Sequence, residues 1–252
     1  MIQRVLKAGF LAGLVVGLAV AVLQQFTTSQ LILKGEVYEK AAHDHHAALN
    51  SSALPIVLAH DHGTGTAATD PDEEEEEGWQ PAEGWQRIAA TSIATIATSI
   101  GYALILIAAM LLAGVPIMPG TAFLWGIAAF AATSLAPALG LSPELPGSAA
   151  APLIARQVWW VATALCTAGG IFLLARLRYA TAKIAGIVLI LAPHIVGAPQ
   201  TPNFKSTAPA ELAAQFAATS LVVSAVLWAL LGLAVGYAWQ RTARGETAAL
   251  PV

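Results

Sequence analysis

IAATSIATIATSIGYALILIAAMLLAG, residues Ile88–Gly114, runs for 27 residues without a charged side chain. A bilayer's hydrocarbon core is about 30 Å thick, and a helix needs about 20 apolar residues to cross it. The stretch is therefore a membrane span. Comparable blocks lie near Ala8–Leu33, Ala122–Leu141, Gln157–Ala175, Ile184–Ala198 and Leu212–Trp239. The expected fold is all-α, a polytopic membrane bundle of five to six transmembrane helices. The count turns on the fifth block, which is short and ends in Gly197-Ala198-Pro199, consistent with a broken or re-entrant segment.

Composition agrees. Of 252 residues, 57% are hydrophobic and 11% charged, where a soluble domain carries about 25% charged. Mean hydropathy is +0.67. Such a chain has too few charges to keep a water-facing surface wet, so lipid is its medium. No basic cluster interleaved with aromatics points to nucleic acid. Cys166 is the only cysteine, which excludes an intrachain disulfide and a Cys-based metal site.

The charges are segregated. Twelve of the 15 acidic residues fall between Glu36 and Glu83, including the run Asp72-Glu73-Glu74-Glu75-Glu76-Glu77. With the N-terminus in the cytoplasm, the inner face collects seven basic residues (Arg4, Lys7, Arg176, Arg178, Lys183, Arg241 and Arg244). The outer face holds five (Lys34, Lys40, Arg87, Arg156 and Lys205). That bias favours six spans with both termini inside. The organisation read from this is a first helix over 1–33, an outer loop over 34–87, a helical bundle over 88–240 and a cytoplasmic tail over 241–252. Arg4 and Lys7 before an apolar run, with Ala19-Val20-Ala21, resemble a secretory signal. Resumed apolarity from Phe26 to Leu33 and the four-residue spacing of Gly9, Gly13 and Gly17 favour a retained, closely packed helix instead. Gly232 and Gly236 invite the same reading.

The outer loop carries the chemistry. Five of six histidines sit there, in His43-Asp44-His45-His46 and His60-Asp61-His62. Imidazole suits Zn, Cu, Ni and Co, and carboxylates add harder oxygen ligands. His-rich tracts can wrap such ions without a preformed fold, and the segment from Ala41 to Pro81 is too polar to bury a core, so it is expected to be disordered without ligand. The acidic run reads first as a solvated charge block and second as a funnel that concentrates cations. Inside the membrane, His194 stands out. It lies about 16 Å along the fifth span from Lys183 at helical rise, near mid-bilayer. Pro193 precedes it and Gly197 and Pro199 follow, a pattern that frees backbone carbonyls beside the imidazole. The bland alternative is a histidine bonded across helices.

Thr91, Thr95, Thr98 and Tyr102 share one face of the second span and read as packing contacts rather than a hydrated path. Glu144 and Arg156 form a candidate outer-mouth pair, or else two interfacial anchors. HExxH, G-x-S-x-G and GxxxxGK[ST] signatures are absent, and no acid lies within a span. Nothing here recommends an enzyme.

Over nearly its full length the chain resembles the CbtA family of cobalt transporter subunits. The residues concerned are Leu23-Gln24-Gln25, Leu31-Ile32-Leu33 and Glu36-Val37-Tyr38-Glu39 before the His-rich loop, and Gly84-Trp85-Gln86-Arg87. Ala136-Pro137-Ala138-Leu139-Gly140-Leu141, Pro143-Glu144-Leu145-Pro146-Gly147, Ala155-Arg156-Gln157 with Trp159-Trp160, and Pro193-His194-Ile195-Val196-Gly197-Ala198-Pro199 complete the set. The resemblance implies a bacterial inner-membrane protein for cobalt uptake, tied to cobalamin synthesis. It also implies a small single-span His-motif partner (CbtB-like), and five spans where six are counted here. No fixed cofactor is expected; the ion handled is Co²⁺, with Ni²⁺ or Zn²⁺ as competitors. The expected metal contacts are His43, Asp44, His45, His46, His60, Asp61, His62 and His194. The alternative is a metal-responsive membrane sensor that transports nothing.

Overall fold

Eight α-helices and one π segment make up the described part of a computed structural model, which covers residues 1–51, 81, 82, 84–201 and 206–248, with side chains at 42–51 and 244–248 left aside. His60, Asp61, His62 and the acidic run fall outside the described residues.

Helix α1 (Ile2–Phe26) shows why the sequence packs as it does. Its buried stripe is Ala8, Gly9, Ala12, Gly13, Val16, Gly17, Val20 and Ala21. Lipid tails are as apolar as leucine, so helices in a membrane associate through close van der Waals contact, which small residues permit. Helix α3 (Trp85–Leu112) takes up that stripe. A Cβ at Gly17 would stand 2.7 Å from the Ile96 Cα, and one at Gly13 would strike the Ile100 backbone. The same device joins α4 (Pro119–Phe130) to α8 (Ala210–Ala248), where a Cβ at Gly236 would lie 2.6 Å from the Pro119 nitrogen. Both glycine expectations hold. The hydroxyl face of α3 also does packing work: Thr95 donates to Gln24 Oε1 of α1 at 2.8 Å, and Tyr102 stacks on Trp228 of α8 with ring centres 4.9 Å apart.

Helix α4 continues through a π segment (Ala131–Leu135) into α5 (Ala136–Ala138). The widened turn has a covalent cause. Pro137 has no N–H to give the Thr133 carbonyl, so the preceding turn relaxes to i→i+5 bonding, with the Ala136 N–H reaching the Ala131 carbonyl. Helix α6 (Leu153–Arg176) and α7 (Ala180–Val196) follow as an antiparallel pair. They meet closely enough that a Cβ on Gly170 would lie 2.6 Å from the Gly186 carbonyl.

Among the described residues, five helices are long and apolar enough to cross a membrane, whereas α7 has 17 residues, about 25 Å at helical rise against a core of about 30 Å. It nevertheless connects the two ends of the bundle. At the terminal end, the Arg4 guanidinium lies 4.1 Å over the Trp239 ring and donates to the Trp239 carbonyl at 3.0 Å, while Arg176 donates to Ala113 at 3.2 Å. At the distal end, the Gly147 carbonyl accepts from the Thr207 N–H at 3.1 Å, and the Trp159 indole donates to the Pro193 carbonyl at 3.2 Å. Helix α7 starts four residues after Arg176 and finishes beside Trp159. Among the described residues, five segments have the length of a span and α7 runs beside α6 as a shorter sixth, and both helical termini share one end.

Two boundaries differ from expectation. The first block is not one helix to Leu33: it breaks at Thr27, and α2 (Thr28–Ser51) follows. The expected open loop is helical as far as Ser51, so residues 43–46 belong to a helix. At the other terminus, α8 continues through the expected tail to Ala248.

Candidate functional site

The distal end gathers most of the residues singled out for chemistry. Helix α2 is rooted there by its first three turns. Leu31 joins Leu145, Ala208 and Phe216 in a small buried cluster. Arg87, at the start of α3, holds the Glu36 carboxylate with both ends of its fork, Nη1 to Oε2 at 2.8 Å and Nη2 to Oε1. Those hydrogen bonds lower the Glu36 pKa, partial burial opposes them, and the charges of Arg87 and Lys40 add to the lowering. The pair is an end-on, two-pronged clasp of planar partners, a geometry that arginine can make and lysine cannot. Beyond it, the backbone of α2 carries positions 43–46, about 10 Å further along the axis from Glu36 at helical rise.

His194 belongs to the end of its helix rather than to its middle. It sits in the last turn of α7, half-buried, at the level of the second turn of α6. Its ring meets the edge of Trp159 with centres 5.9 Å apart and planes at 72°. The miscount arose because α7 begins at Ala180 and ends at Val196. Gly197, at φ +88°, ends the helix in a conformation that favours glycine. Pro193 is accommodated within the helix, and its carbonyl accepts from both Trp159 and the Gly197 N–H.

Glu144 and Arg156 form an ion pair at 2.7 Å with each side chain about three-quarters buried. They border an open cavity of about 660 Å³ lined by the π segment with α5, by residues 141–144, by α6 and by α8. Thr133, Ser134, Ser142, Gln157 and Ser224 supply its polar lining. His194 is not among the lining residues. Sequence reasoning found the pair but not the cavity or its hydroxyls. The one readable signal was Pro137 after Thr133-Ser134, which widens the helix at that point.

Among the described residues, no three His, Cys, Asp or Glu side chains converge as a metal cage. His43, Asp44, His45 and His46 lie on α2, whose side chains at those positions are not described, and His194 stands apart from Glu144 and Arg156 within the body.

No curated protein and no solved structure matches this chain. A family model does, described as "Probable cobalt transporter subunit (CbtA)", and it matches residues 2–240. With nearly the whole sequence inside that match, the chain belongs to the CbtA family.

Proposed function

We propose that the chain is the membrane-embedded subunit of a Co²⁺ uptake system, with the His-rich segment capturing the ion outside and the helical body passing it inward. The observation that carries this is the family match over residues 2–240. Capture is assigned to His43, Asp44, His45 and His46, together with His60, Asp61 and His62. Imidazole and carboxylate donors suit Co²⁺, and they accept Ni²⁺ and Zn²⁺ as well. Helix α2 supports the assignment, because its root is clasped to the bundle through Glu36 and Arg87 and the same helix continues through positions 43–46. On a helix, positions three apart share a face, which favours joint use of positions 43 and 46.

The distal end is the outer one in this reading. Arg4, Lys7, Arg176, Arg178, Lys183 and Arg241 all belong to the terminal end, as the cytoplasmic side of a bacterial inner membrane requires. A small single-span subunit with its own His motif is the proposed partner.

Proteoliposome flux tests the proposal. Purified chain, with and without the single-span partner, should move Co²⁺ into vesicles, with Ni²⁺ and Zn²⁺ competing. The triple change His43→Ala, His45→Ala, His46→Ala should raise the half-saturating Co²⁺ concentration about tenfold, about 1.4 kcal/mol of binding, with the maximal rate retained. Metal binding to the segment without any flux in either preparation would replace transport with sensing.

A further inference from the structure

The pair formed by α6 and α7 is fastened firmly at one end and lightly at the other. The chain enters it through residues 139–152 and leaves it through residues 197–209, so both covalent links are distal. Those links are bonded to each other, since the Gly147 carbonyl accepts from the N–H of Thr207 at 3.1 Å and from its hydroxyl at 3.2 Å. Glu144 of the entering link holds Arg156 of α6 at 2.7 Å. Gly140 is pressed against the Trp159 ring and Ala198, and a Cβ there would stand 2.8 Å from that of Ala198. At the terminal end, among the described residues, the hydrogen bond from the pair to the rest of the bundle is Arg176 to the Ala113 carbonyl at 3.2 Å. Arg176 is exposed, so water competes for that bond and its net contribution is small.

Packing follows the same gradient. Helix α6 meets the bundle along the π segment and α5, which face its distal half, and only marginally along α4. Helix α7 packs on α6 and on no other described helix. Inside the pair the contact is backbone to backbone. A Cβ on Gly170 would lie 2.6 Å from the Gly186 carbonyl, and one on Gly186 would lie 2.9 Å from the Gly170 carbonyl. Elements packed that closely are displaced as a unit, and the change is taken up by a few residues in loops or at helix ends. Gly147 at φ +75° and Gly197 at φ +88° occupy such positions in the two links.

We propose that α6 and α7 swing together as one rigid hairpin about the distal links, with Arg176 on the Ala113 carbonyl as the latch that holds the terminal end closed. Release of the latch parts α6 from α4 and extends the cavity beside Thr133 and Ser134 toward the terminal end. The inference rests on packing alone and holds whichever ion the chain handles.

The test is double electron–electron resonance on the purified full chain in lipid nanodiscs, with Cys166→Ala throughout so that only introduced cysteines carry spin labels. Three pairs of exposed positions serve. Tyr179→Cys with Tyr237→Cys spans the terminal end from the hairpin to α8. Ile154→Cys with Val222→Cys spans the distal half, and Val158→Cys with Tyr179→Cys stays within the hairpin. Arg176→Gln should lengthen the terminal distance by about 5 Å, the scale of one helical turn. The distance within the hairpin should stay unchanged, and the distal distance should shift by less than half as much as the terminal one. An unchanged terminal distance in a folded Arg176→Gln protein overturns the proposal. So does an equal shift at both ends, which is detachment without a hinge, and so does a change within the hairpin, which separates α6 from α7. If Arg176→Gln fails to fold, the protein with Arg176 intact decides: a terminal distribution broader than the distal one supports the hinge, and one equally narrow overturns it.

Discussion

The block formed by α1, α3, α4 and α8 and the pair formed by α6 and α7 are built on different principles. The block holds the main buried core, from Ala8 and Val16 through Leu106, Ile107 and Met110 to Leu231 and Val235, and no residue of α6 or α7 belongs to it. Its helices meet glycine against backbone. The pair is equally close within itself, at Gly170 and Gly186, but it joins the block mainly along the π segment and α5. There the contact is interrupted by a cavity, an ion pair and a proline-bearing helix end. Tight apolar packing is hard to change without loss of the fold, since interiors have little room to relax. The less regular seam is where polar side chains and a ligand-sized space are found, whereas His194 stands inside the pair, against Trp159. The block acts as scaffold, and the pair carries the features suited to a changing or ligand-bound state.

The largest expected effect tests the scaffold. Gly236→Val would drive a branched side chain into the Pro119 backbone of α4, at a cost of about 3 kcal/mol or more. Monodisperse elution in detergent should be lost. Retained elution with an unchanged melting temperature would show that α4 and α8 are not rigidly joined, and the distinction between block and pair would collapse.

His194→Ala tests the pair. The ring is half-buried against Trp159, so stability should fall by only about 1 kcal/mol or less, read as a small drop in melting temperature. Cobalt uptake by cells expressing the variant should drop about tenfold, a 1.4 kcal/mol change. Unchanged uptake removes His194 from the ion path and leaves the pair with a structural role.

Glu36→Gln probes the root of α2 outside both regions. A partly exposed ion pair of good geometry contributes about 0.5–1 kcal/mol. The folded-state pKa of Glu36 is lowered, chiefly by hydrogen bonding to Arg87. The contribution is therefore present above the unfolded carboxylate value of about 4.3, and it disappears as pH falls through the lower folded value. Melting curves of the native protein and Glu36→Gln should differ at pH 7 and converge toward pH 3. A difference that persists at low pH would assign the effect to packing instead.

Thr95→Val is expected to have the smallest effect. It removes the hydroxyl that donates to Gln24, and interhelical hydrogen bonds of this kind in membranes average about 0.6 kcal/mol. A loss several times larger would mean that the α1–α3 seam depends on polar contacts more than on its glycines.

Much of the block was readable in advance because its determinants are local and repetitive. Uncharged runs such as Ile88–Gly114 set the spans, and the spacing of Gly9, Gly13 and Gly17 marks a face that can only be useful if another backbone lies on it. The candidate site was less readable. The pairing of Glu144 with Arg156 is readable from its charges, but the place of His194 along its helix is not, because helix ends depend on one or two residues and each residue of offset moves a side chain by about 1.5 Å along the axis. The His-bearing positions 43–46 were expected in an open loop. The low hydrophobicity of that stretch argued for disorder, yet the helix begun at Thr28 and clasped at Glu36 continues through them.

By itself, then, the sequence determined the medium, the helical class, the close-packing faces and the family, because each is written in composition, period or motif along a continuous stretch of chain. Tertiary structure alone decided that α7 joins both ends despite its length, that Pro137 opens a cavity rather than ending a span, and that Arg176 reaches the Ala113 carbonyl. Those outcomes depend on which segments become neighbours, and the residues involved are separated by up to about ninety positions, from Thr133 to Ser224. No local pattern records such a distance.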